Sequence, residues 1–107
     1  MQKKYLMGFD VGTSESKGSL TDLEGHILAT ASVKHGIISP HPGFAEHDPL
    51  GDWMGDLKSI IRNLLDQVNG RAEEIAAIGI STIMAAVTFV DENCEPLRNA
   101  ILYGIDT

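Results

Sequence analysis

Residues 10–17 have the side chains and spacing expected of a turn that binds a phosphate group. Asp10 ends an apolar run, residues 12–14 form a Gly-Thr-Ser turn, and Lys17 lies three residues after that turn. The N–H groups and hydroxyls of such a turn can converge on phosphate oxygens. Asp10 could then hold Mg²⁺, directly or through water, and Lys17 could offset phosphate charge. The candidate residues are Asp10, Gly12, Thr13, Ser14 and Lys17.

An ordinary β-hairpin with a polar turn would contain the same residue types. The spacing alone does not separate this interpretation from a phosphate site. The segment is neither a Walker A loop nor a Gly-x-Gly-x-x-Gly fingerprint, because both need a helix directly after the turn. Here the pattern continues as a strand, so both interpretations stay open at this point.

Three strands joined by short turns are predicted in the first third of the chain. The apolar run at residues 5–9, the segment 17–21 and the segment 26–33 are separated by glycine-containing polar turns. Connections this short predict an antiparallel meander and exclude a βαβ unit.

A helix of about twenty residues is predicted after a proline-containing loop at residues 37–49. Asp48 can cap the helix, and Pro49 suits its first position. Asn69 and Gly70 are predicted to end the helix. Apolar residues recur between these signals at three- and four-residue spacing, as expected of a helix with one buried face. This stripe contains Leu50, Trp53, Met54, Leu57, Ile60, Ile61, Leu64, Leu65 and Val68.

Three more strands are predicted in the last third. Residues 75–80 form an apolar run without alternation, typical of a buried strand, and shorter strands are expected at 87–90 and 100–103. The order β-β-β-α-β-β-β predicts an α/β fold with a mixed sheet. Because the pattern stops shortly after a strand at Thr107, we expect the chain to be a truncated part of a larger domain.

Composition excludes several classes of protein. The 107 residues suit one domain, and the formal net charge of −7 with scattered basic residues predicts no nucleic-acid partner and no anionic membrane partner. The apolar run at residues 5–9 is too short for a signal peptide core or a membrane span. A single cysteine, Cys94, excludes an internal disulfide framework. We therefore expect a cytoplasmic location.

Several segments together resemble the FGGY family of carbohydrate kinases. The hairpin at residues 10–17 resembles the phosphate-binding loop of the sugar kinase, Hsp70 and actin superfamily. Residues 42–49 read Pro-Gly-Phe-Ala-Glu-His-Asp-Pro, with Trp53 four residues on, which is similar to an FGGY segment. Gly-Ile-Ser-Thr at 79–82 and Pro-Leu-Arg-Asn-Ala-Ile-Leu at 96–102 also match in order and spacing.

The resemblance implies a ribonuclease-H-like, actin-like ATPase domain, and the chain would be the N-terminal portion of the kinase's N-terminal domain. It implies the cofactors ATP and Mg²⁺, with Asp10, Gly12, Thr13, Ser14 and Lys17 facing the phosphates and Asp10 organising the metal. It also implies a small sugar or polyol substrate, with Met84, Ala85, Tyr103 and Asp106 on the sugar side.

The resemblance leaves the sugar open. Xylulose kinases usually carry Gln-Met-His and glycerol kinases Gln-Arg-Glu where this chain has Ile83, Met84 and Ala85. The family's Trp-x-Asp-x-Arg segment corresponds to residues 103–107, with one extra residue.

Other reactive side chains have no functional pattern. His35, His41 and His47 are expected in loops without the spacing of zinc ligands. Trp53 and Met54 are expected in the core. The pair at residues 73–74, both glutamates, is expected on the solvated surface.

Two functions from different classes follow. The first is an ATP-dependent sugar kinase that is xylulose kinase-like and transfers the γ-phosphoryl group to a carbohydrate hydroxyl. The family's catalytic base is an aspartate far downstream, so this chain alone would be inactive, with no catalytic residue of its own. The alternative is a stand-alone, non-catalytic binding or assembly module of the same fold, which could form a homo-oligomer through an exposed sheet edge.

Overall fold

The computed structural model describes residues 2–83 and 85–102. The first three strands form the predicted antiparallel meander, and the later strand Ile75–Thr82 joins it in parallel beside the first strand, Tyr5–Val11. The third and first strands of the meander therefore lie on either side of the second, and Ile75–Thr82 forms the opposite edge of the sheet. This confirms the α/β fold with a mixed sheet. The elements are β1 (Tyr5–Val11), β2 (Glu15–Thr21), β3 (Ile27–Lys34), β4 (Glu46–His47), a π-helical segment (Pro49–Met54), α1 (Gly55–Val68), a 3₁₀ turn (Ala72–Glu74), β5 (Ile75–Thr82), β6 (Ala86–Val87) and β7 (Ala100–Leu102).

A second, small sheet has the order β4-β7-β6. Its β4 lies inside the segment predicted as a plain loop, and it exists because Glu46 and His47 pair with Ile101 and Ala100 of β7. Pairing across so many residues leaves no local periodicity in the sequence. The strand predicted at 87–90 is also shorter than expected, because Val90 forms only an isolated bridge with Pro96.

The helix begins and ends where the capping residues predicted. The Asp48 side chain accepts a hydrogen bond from the N–H of Leu50 at 3.1 Å, and Asn69 adopts a left-handed conformation with φ 52°. The first turns are π-helical and contain Gly51, where a Cβ atom would lie 2.8 Å from Oδ2 of Asp48. The glycine therefore allows the cap to close over the first turn.

The core lies between α1 and one face of the main sheet. Gly18 of β2 permits this close approach, because a Cβ atom there would lie 2.4 Å from Cγ2 of Ile60. Met54 is 46% exposed, so its predicted place in the core is wrong, while Trp53 is half-buried. The buried core residues are Met7, Phe9, Leu20, Ala29, Ile60 and Leu64.

Strand β5 was predicted to be buried, and this is wrong for the described residues: Ile78 is 46% exposed and Ile80 is 56% exposed. The reason is geometric. Helix α1 packs over β2 and β3, whereas β5 lies at the opposite edge of the sheet. No helix in residues 2–83 and 85–102 is long and apolar enough to cross a membrane.

Candidate functional site

The hairpin between β1 and β2 presents the predicted polar residues at one edge of the sheet. Asp10 and Lys17 are cross-strand partners, and Asp10 also pairs with Ser81 on the parallel strand β5. Gly12 makes the turn possible, because its N–H donates to the carbonyl of Glu15 at 2.9 Å and a Cβ atom would lie 3.0 Å from that same oxygen. The carboxyl ends of β1 and β5 meet at this edge, which is where open α/β sheets bind their ligands.

The three carbonyl groups of the turn all accept hydrogen bonds from the protein interior. Gly12 accepts from Nε2 of His35 at 2.8 Å, and Thr13 accepts from Nε2 of His47 at 2.8 Å. Ser14 accepts from the backbone N–H of His35 at 2.9 Å.

These contacts direct the N–H groups of the turn outward. In a planar trans peptide unit the C=O and the following N–H point in opposite directions. The inward carbonyls of Gly12 and Thr13 therefore turn the N–H groups of Thr13 and Ser14 toward solvent. Both residues are exposed, and within the described part of the chain neither N–H donates a hydrogen bond. The turn thus presents two adjacent free donors, an arrangement that binds anions.

A buried ion pair lies directly behind the turn. Nδ1 of His35 lies 2.6 Å from Oδ2 of Asp56 in the first turn of α1, and the Ser16 hydroxyl donates to the same oxygen at 2.8 Å. Burial lowers the pKa of His35, but the hydrogen bonds to Asp56 and to the Gly12 carbonyl outweigh it. The pKa of His35 therefore lies above its usual 6.5.

A second histidine supports the neighbouring peptide unit. His47 is fully buried, and its Nδ1 accepts the indole N–H of Trp53 at 3.1 Å while its Nε2 binds Thr13. The centroids of the His47 and His35 rings lie 4.7 Å apart in an edge-to-face arrangement. Trp53 therefore acts in this support of the turn and does not simply fill the core.

Sequence reasoning missed the role of both histidines. Their expected place in irregular loops was wrong for His47, which lies in β4, while His35 directly follows β3. No local signal links them to Gly12 and Thr13, because 23 and 34 residues separate the bonded pairs. Residues 2–83 and 85–102 contain no group of three or more His, Cys, Asp or Glu side chains placed to hold a metal ion.

The sheet face opposite α1 forms an open cavity of about 980 Å³ next to the hairpin. The end of the cavity nearest the turn is lined by Asp10, Lys17 and Ser81. Gly8 and Gly79 have no side chains to fill the adjoining part of the cavity. Nζ of Lys17 lies 3.4 Å from Oε1 of Glu15, so its positive charge is partly compensated. The cavity can therefore admit a polar ligand that reaches the turn.

The structure brings the predicted phosphate-side residues together and describes part of the sugar side. Asp10, Gly12, Thr13, Ser14 and Lys17 all belong to the one hairpin. The N–H of Ile83 donates to the carbonyl of Val11 at 2.8 Å, which ties the segment leading to the exposed Ala85 to this hairpin. Met84, Tyr103 and Asp106 lie outside the described residues.

An antiparallel meander with a parallel strand beside its first strand is the arrangement of the actin-like ATPase fold. The model of the FGGY family of carbohydrate kinases, N-terminal domain, matches residues 5–105. The chain therefore belongs to the FGGY family, which confirms the resemblance.

Individual relatives agree with this assignment. A glycerol kinase from Alkaliphilus oremlandii is 37% identical over 102 residues, covering 94% of this chain and 20% of that protein. A xylulose kinase from Lactococcus lactis is 32% identical over 100 residues, with the same coverage of 94% and 20%. The crystal structure of gluconate kinase from Lactobacillus acidophilus matches 92% of this chain and 19% of its own with a TM-score of 0.81 and 35% identity. The chain thus spans about 20% of the length of the curated relatives it matches.

Proposed function

We propose that this chain forms the phosphate-binding part of an ATP-dependent sugar or polyol kinase, which transfers the γ-phosphoryl group of ATP to a carbohydrate hydroxyl. One observation carries the proposal beyond family membership. The interior holds the carbonyls of Gly12 and Thr13, so the N–H groups of Thr13 and Ser14 face outward and donate to no group in residues 2–83 and 85–102.

The turn would bind the phosphates of the nucleotide through these donors. Phosphate oxygens would accept hydrogen bonds from the N–H groups and hydroxyls of Thr13 and Ser14, and Lys17 would offset part of their charge. Because the donors are already oriented, little reorganisation is needed when negative charge develops in the transition state. Phosphoryl transfer depends mainly on such positioning and charge stabilisation.

Asp10 fits a magnesium site. It is exposed at the end of β1, beside Ser81, and its side chain makes no hydrogen bond or ion pair to any residue in 2–83 and 85–102. Carboxylate oxygens are preferred Mg²⁺ ligands in phosphate sites, and Asp10 would hold the ion directly or through water. Bound Mg²⁺ would supply charge compensation on the phosphate oxygens.

The sugar would lie on the side of the hairpin that the segment after β5 approaches. Ala85, with Met84, Tyr103 and Asp106, is proposed to contact it. The general base that accepts the hydroxyl proton is proposed to be an aspartate outside these residues. We therefore propose that phosphoryl transfer requires the full-length protein and that residues 1–107 alone are inactive.

The test is ADP formation by the full-length protein with MgATP and a panel of pentoses, hexoses, sugar acids and polyols, including xylulose, gluconate and glycerol. We expect one class of acceptor to raise ADP formation clearly above the rate with water. The 107-residue chain, assayed in parallel, should show no such increase. If no acceptor raises the rate and MgATP does not bind, the kinase proposal fails and a non-catalytic binding module is favoured.

A further inference from the structure

A buried charged pair lies behind residues 12–14, which we call the phosphate turn, and packing alone does not explain its function. The side chains of His35 and Asp56 are 3% and 9% exposed. Removing charges from water is costly, and well-packed apolar residues often stabilise a core equally well. The position of this pair against Gly12 suggests that it serves the turn.

Counting donors and acceptors assigns the charge of His35. Its Nε2 faces the Gly12 carbonyl at 2.8 Å and its Nδ1 faces Oδ2 of Asp56 at 2.6 Å. A carbonyl and an ionised carboxylate can only accept hydrogen bonds, so both ring nitrogens must carry a proton. A carboxylic acid is ordinarily a far stronger acid than an imidazolium, so the proton between Nδ1 and Oδ2 belongs to His35. The same Oδ2 also accepts the Ser16 hydroxyl proton at 2.8 Å. His35 is thus an imidazolium in this arrangement.

The hydrogen-bond partners of His47 require a neutral ring. The indole N–H of Trp53 can only donate, so Nδ1 of His47 must accept it and cannot carry a proton. The proton on Nε2 then binds the Thr13 carbonyl. His47 is therefore neutral, and the edge-to-face contact of the two rings puts no second positive charge beside His35.

The charged and titratable groups around His35 favour its positive form. Asp56 contacts it from α1, and Asp52 of the π-helical segment adds a favourable long-range interaction. The neutral Ser16 hydroxyl of β2 lies 3.4 Å from Nδ1, and the neutral ring of His47 in β4 lies 4.7 Å away, centroid to centroid.

We propose that His35 is a charged positioning residue of the phosphate turn, and that loss of its proton loosens the turn and weakens nucleotide binding. The inference rests on the proposed function. A neutral ring has one N–H, so it can satisfy either Asp56 or the Gly12 carbonyl but not both. The carboxylate is the stronger acceptor, so the remaining proton stays on Nδ1 toward Asp56 and the Gly12 contact is lost. The peptide unit that presents the Thr13 N–H is then free to rotate away from the ligand.

The direction of the pH dependence follows from the pKa of His35, which is raised in the folded protein. The contact is fully present below pH 6.5 and is lost as pH rises through the higher folded-state pKa. Nucleotide affinity should therefore fall toward alkaline pH.

The experiment is calorimetric binding of MgADP to the full-length protein between about pH 5.5 and 9, with His35→Gln, His35→Leu and Asp56→Asn compared with the wild type. The terminal phosphate of ADP itself titrates near pH 6. The informative quantity is therefore the difference between each variant and the wild type at each pH. His41→Gln is the matched control, because His41 is exposed and its ring packs on Phe44.

We expect wild-type affinity to fall about three- to tenfold across the titration of His35, the range of one hydrogen bond. His35→Gln keeps a neutral donor, so it should bind MgADP nearly as well as the wild type at low pH. Its affinity should not fall as the pH rises. His35→Leu should bind about tenfold more weakly at low pH. In Asp56→Asn the fall in MgADP affinity should occur at lower pH, because the Asp56 carboxylate that raises the pKa of His35 is removed. His41→Gln should follow the wild type throughout.

Nitrogen-15 spectra of the imidazole rings provide a second readout that does not depend on binding. His35 should show two protonated ring nitrogens at pH 6, and His47 should show one. A singly protonated His35 at pH 6, or the same fall in affinity in the wild type and in His35→Gln, would overturn the inference alone. Failure of the wild type to bind MgADP at any pH would instead overturn the proposed function on which it rests.

Discussion

Nε2 of His47 lies 2.8 Å from the carbonyl oxygen of Thr13, a residue 34 positions earlier in the chain. The contact joins β4, through a neutral imidazole, to the turn between β1 and β2. Because Trp53 donates to the other ring nitrogen, the turn is also connected to the start of the helical segment. Local sequence patterns do not reveal this relationship, because 34 residues separate the two partners.

Replacing His47 with leucine should destabilise the protein. The substitution removes the partner of the Thr13 carbonyl and of the Trp53 N–H, which bind the fully buried His47 in two part-buried hydrogen bonds. An orphaned buried polar group costs about 1–3 kcal/mol. Thermal unfolding of the full-length protein should show a lower midpoint for His47→Leu, while the exposed control His41→Leu should unfold like the wild type. Equal midpoints for the two variants would contradict this role of His47.

Replacing Asp10 with asparagine should reduce sugar phosphorylation without affecting folding. Asp10 is exposed, and its side chain makes no hydrogen bond within the described residues, so the thermal midpoint should not change. Loss of one group that stabilises transition-state charge costs about 10²- to 10³-fold in kcat. Steady-state kinetics of the full-length protein with MgATP would measure this. Asp66→Asn, an exposed aspartate on α1, is the matched control. Near-normal turnover by Asp10→Asn would exclude a role in organising the metal.

Two glycines of neighbouring strands should respond differently to alanine. At Gly18 a Cβ atom would lie 2.4 Å from Cγ2 of Ile60, whereas at Gly8 its nearest neighbour would be Oγ of Ser19 at an ordinary 3.8 Å. Overpacking a core costs about 1–3 kcal/mol, so Gly18→Ala should unfold at lower temperature or denaturant concentration. Gly8→Ala should stay within about 0.5 kcal/mol of the wild type. Equal effects of the two substitutions would mean that α1 does not approach β2 as closely as the structure shows.

Stability should fall in acid partly because of Glu74. Its carboxylate lies 2.9 Å from Nζ of Lys4 and accepts the N–H of Arg71, and the hydrogen bond from Lys4 is the main reason that the pKa of Glu74 is lowered from 4.5. This contribution is present above pH 4.5 and is lost as pH falls through the lower folded-state pKa. Unfolding measured at several pH values should show Glu74→Gln less stable than the wild type above pH 4.5, with the difference vanishing in stronger acid.

The neighbouring Glu73 provides the control for that experiment. Glu73 is exposed, as predicted for both glutamates, whereas Glu74 is 7% exposed and its predicted place on the solvated surface is wrong. Glu73→Gln should leave the pH dependence of stability unchanged. If Glu74→Gln remains less stable than the wild type at a pH where Glu74 is fully protonated, the ion pair with Lys4 is not the cause of the difference in stability.

Short-range chemistry in the sequence was enough to predict the meander, the helix and the hairpin. The turns before β2 and β3 are only a few residues long, the Asp48 cap and the Asn69 stop act within a few residues, and the hairpin motif is contiguous. The same motifs identified the family, which the match over residues 5–105 confirmed. The roles of Asp10 and Lys17 toward a nucleotide stay predictions.

Only the tertiary structure decided what supports the hairpin and which strand is covered. An apolar run without alternation gave β5 the appearance of a buried strand, but burial depends on where α1 packs, and α1 lies over β2 and β3. The contacts of His35 with Asp56 and Gly12 form only when the helix docks on the sheet, because 21 and 23 residues separate these partners. The sequence by itself thus determined where the chain turns and which polar groups the hairpin carries. The packing of α1 and β4 determined which way those groups point, because a peptide unit is oriented by whatever holds its carbonyl.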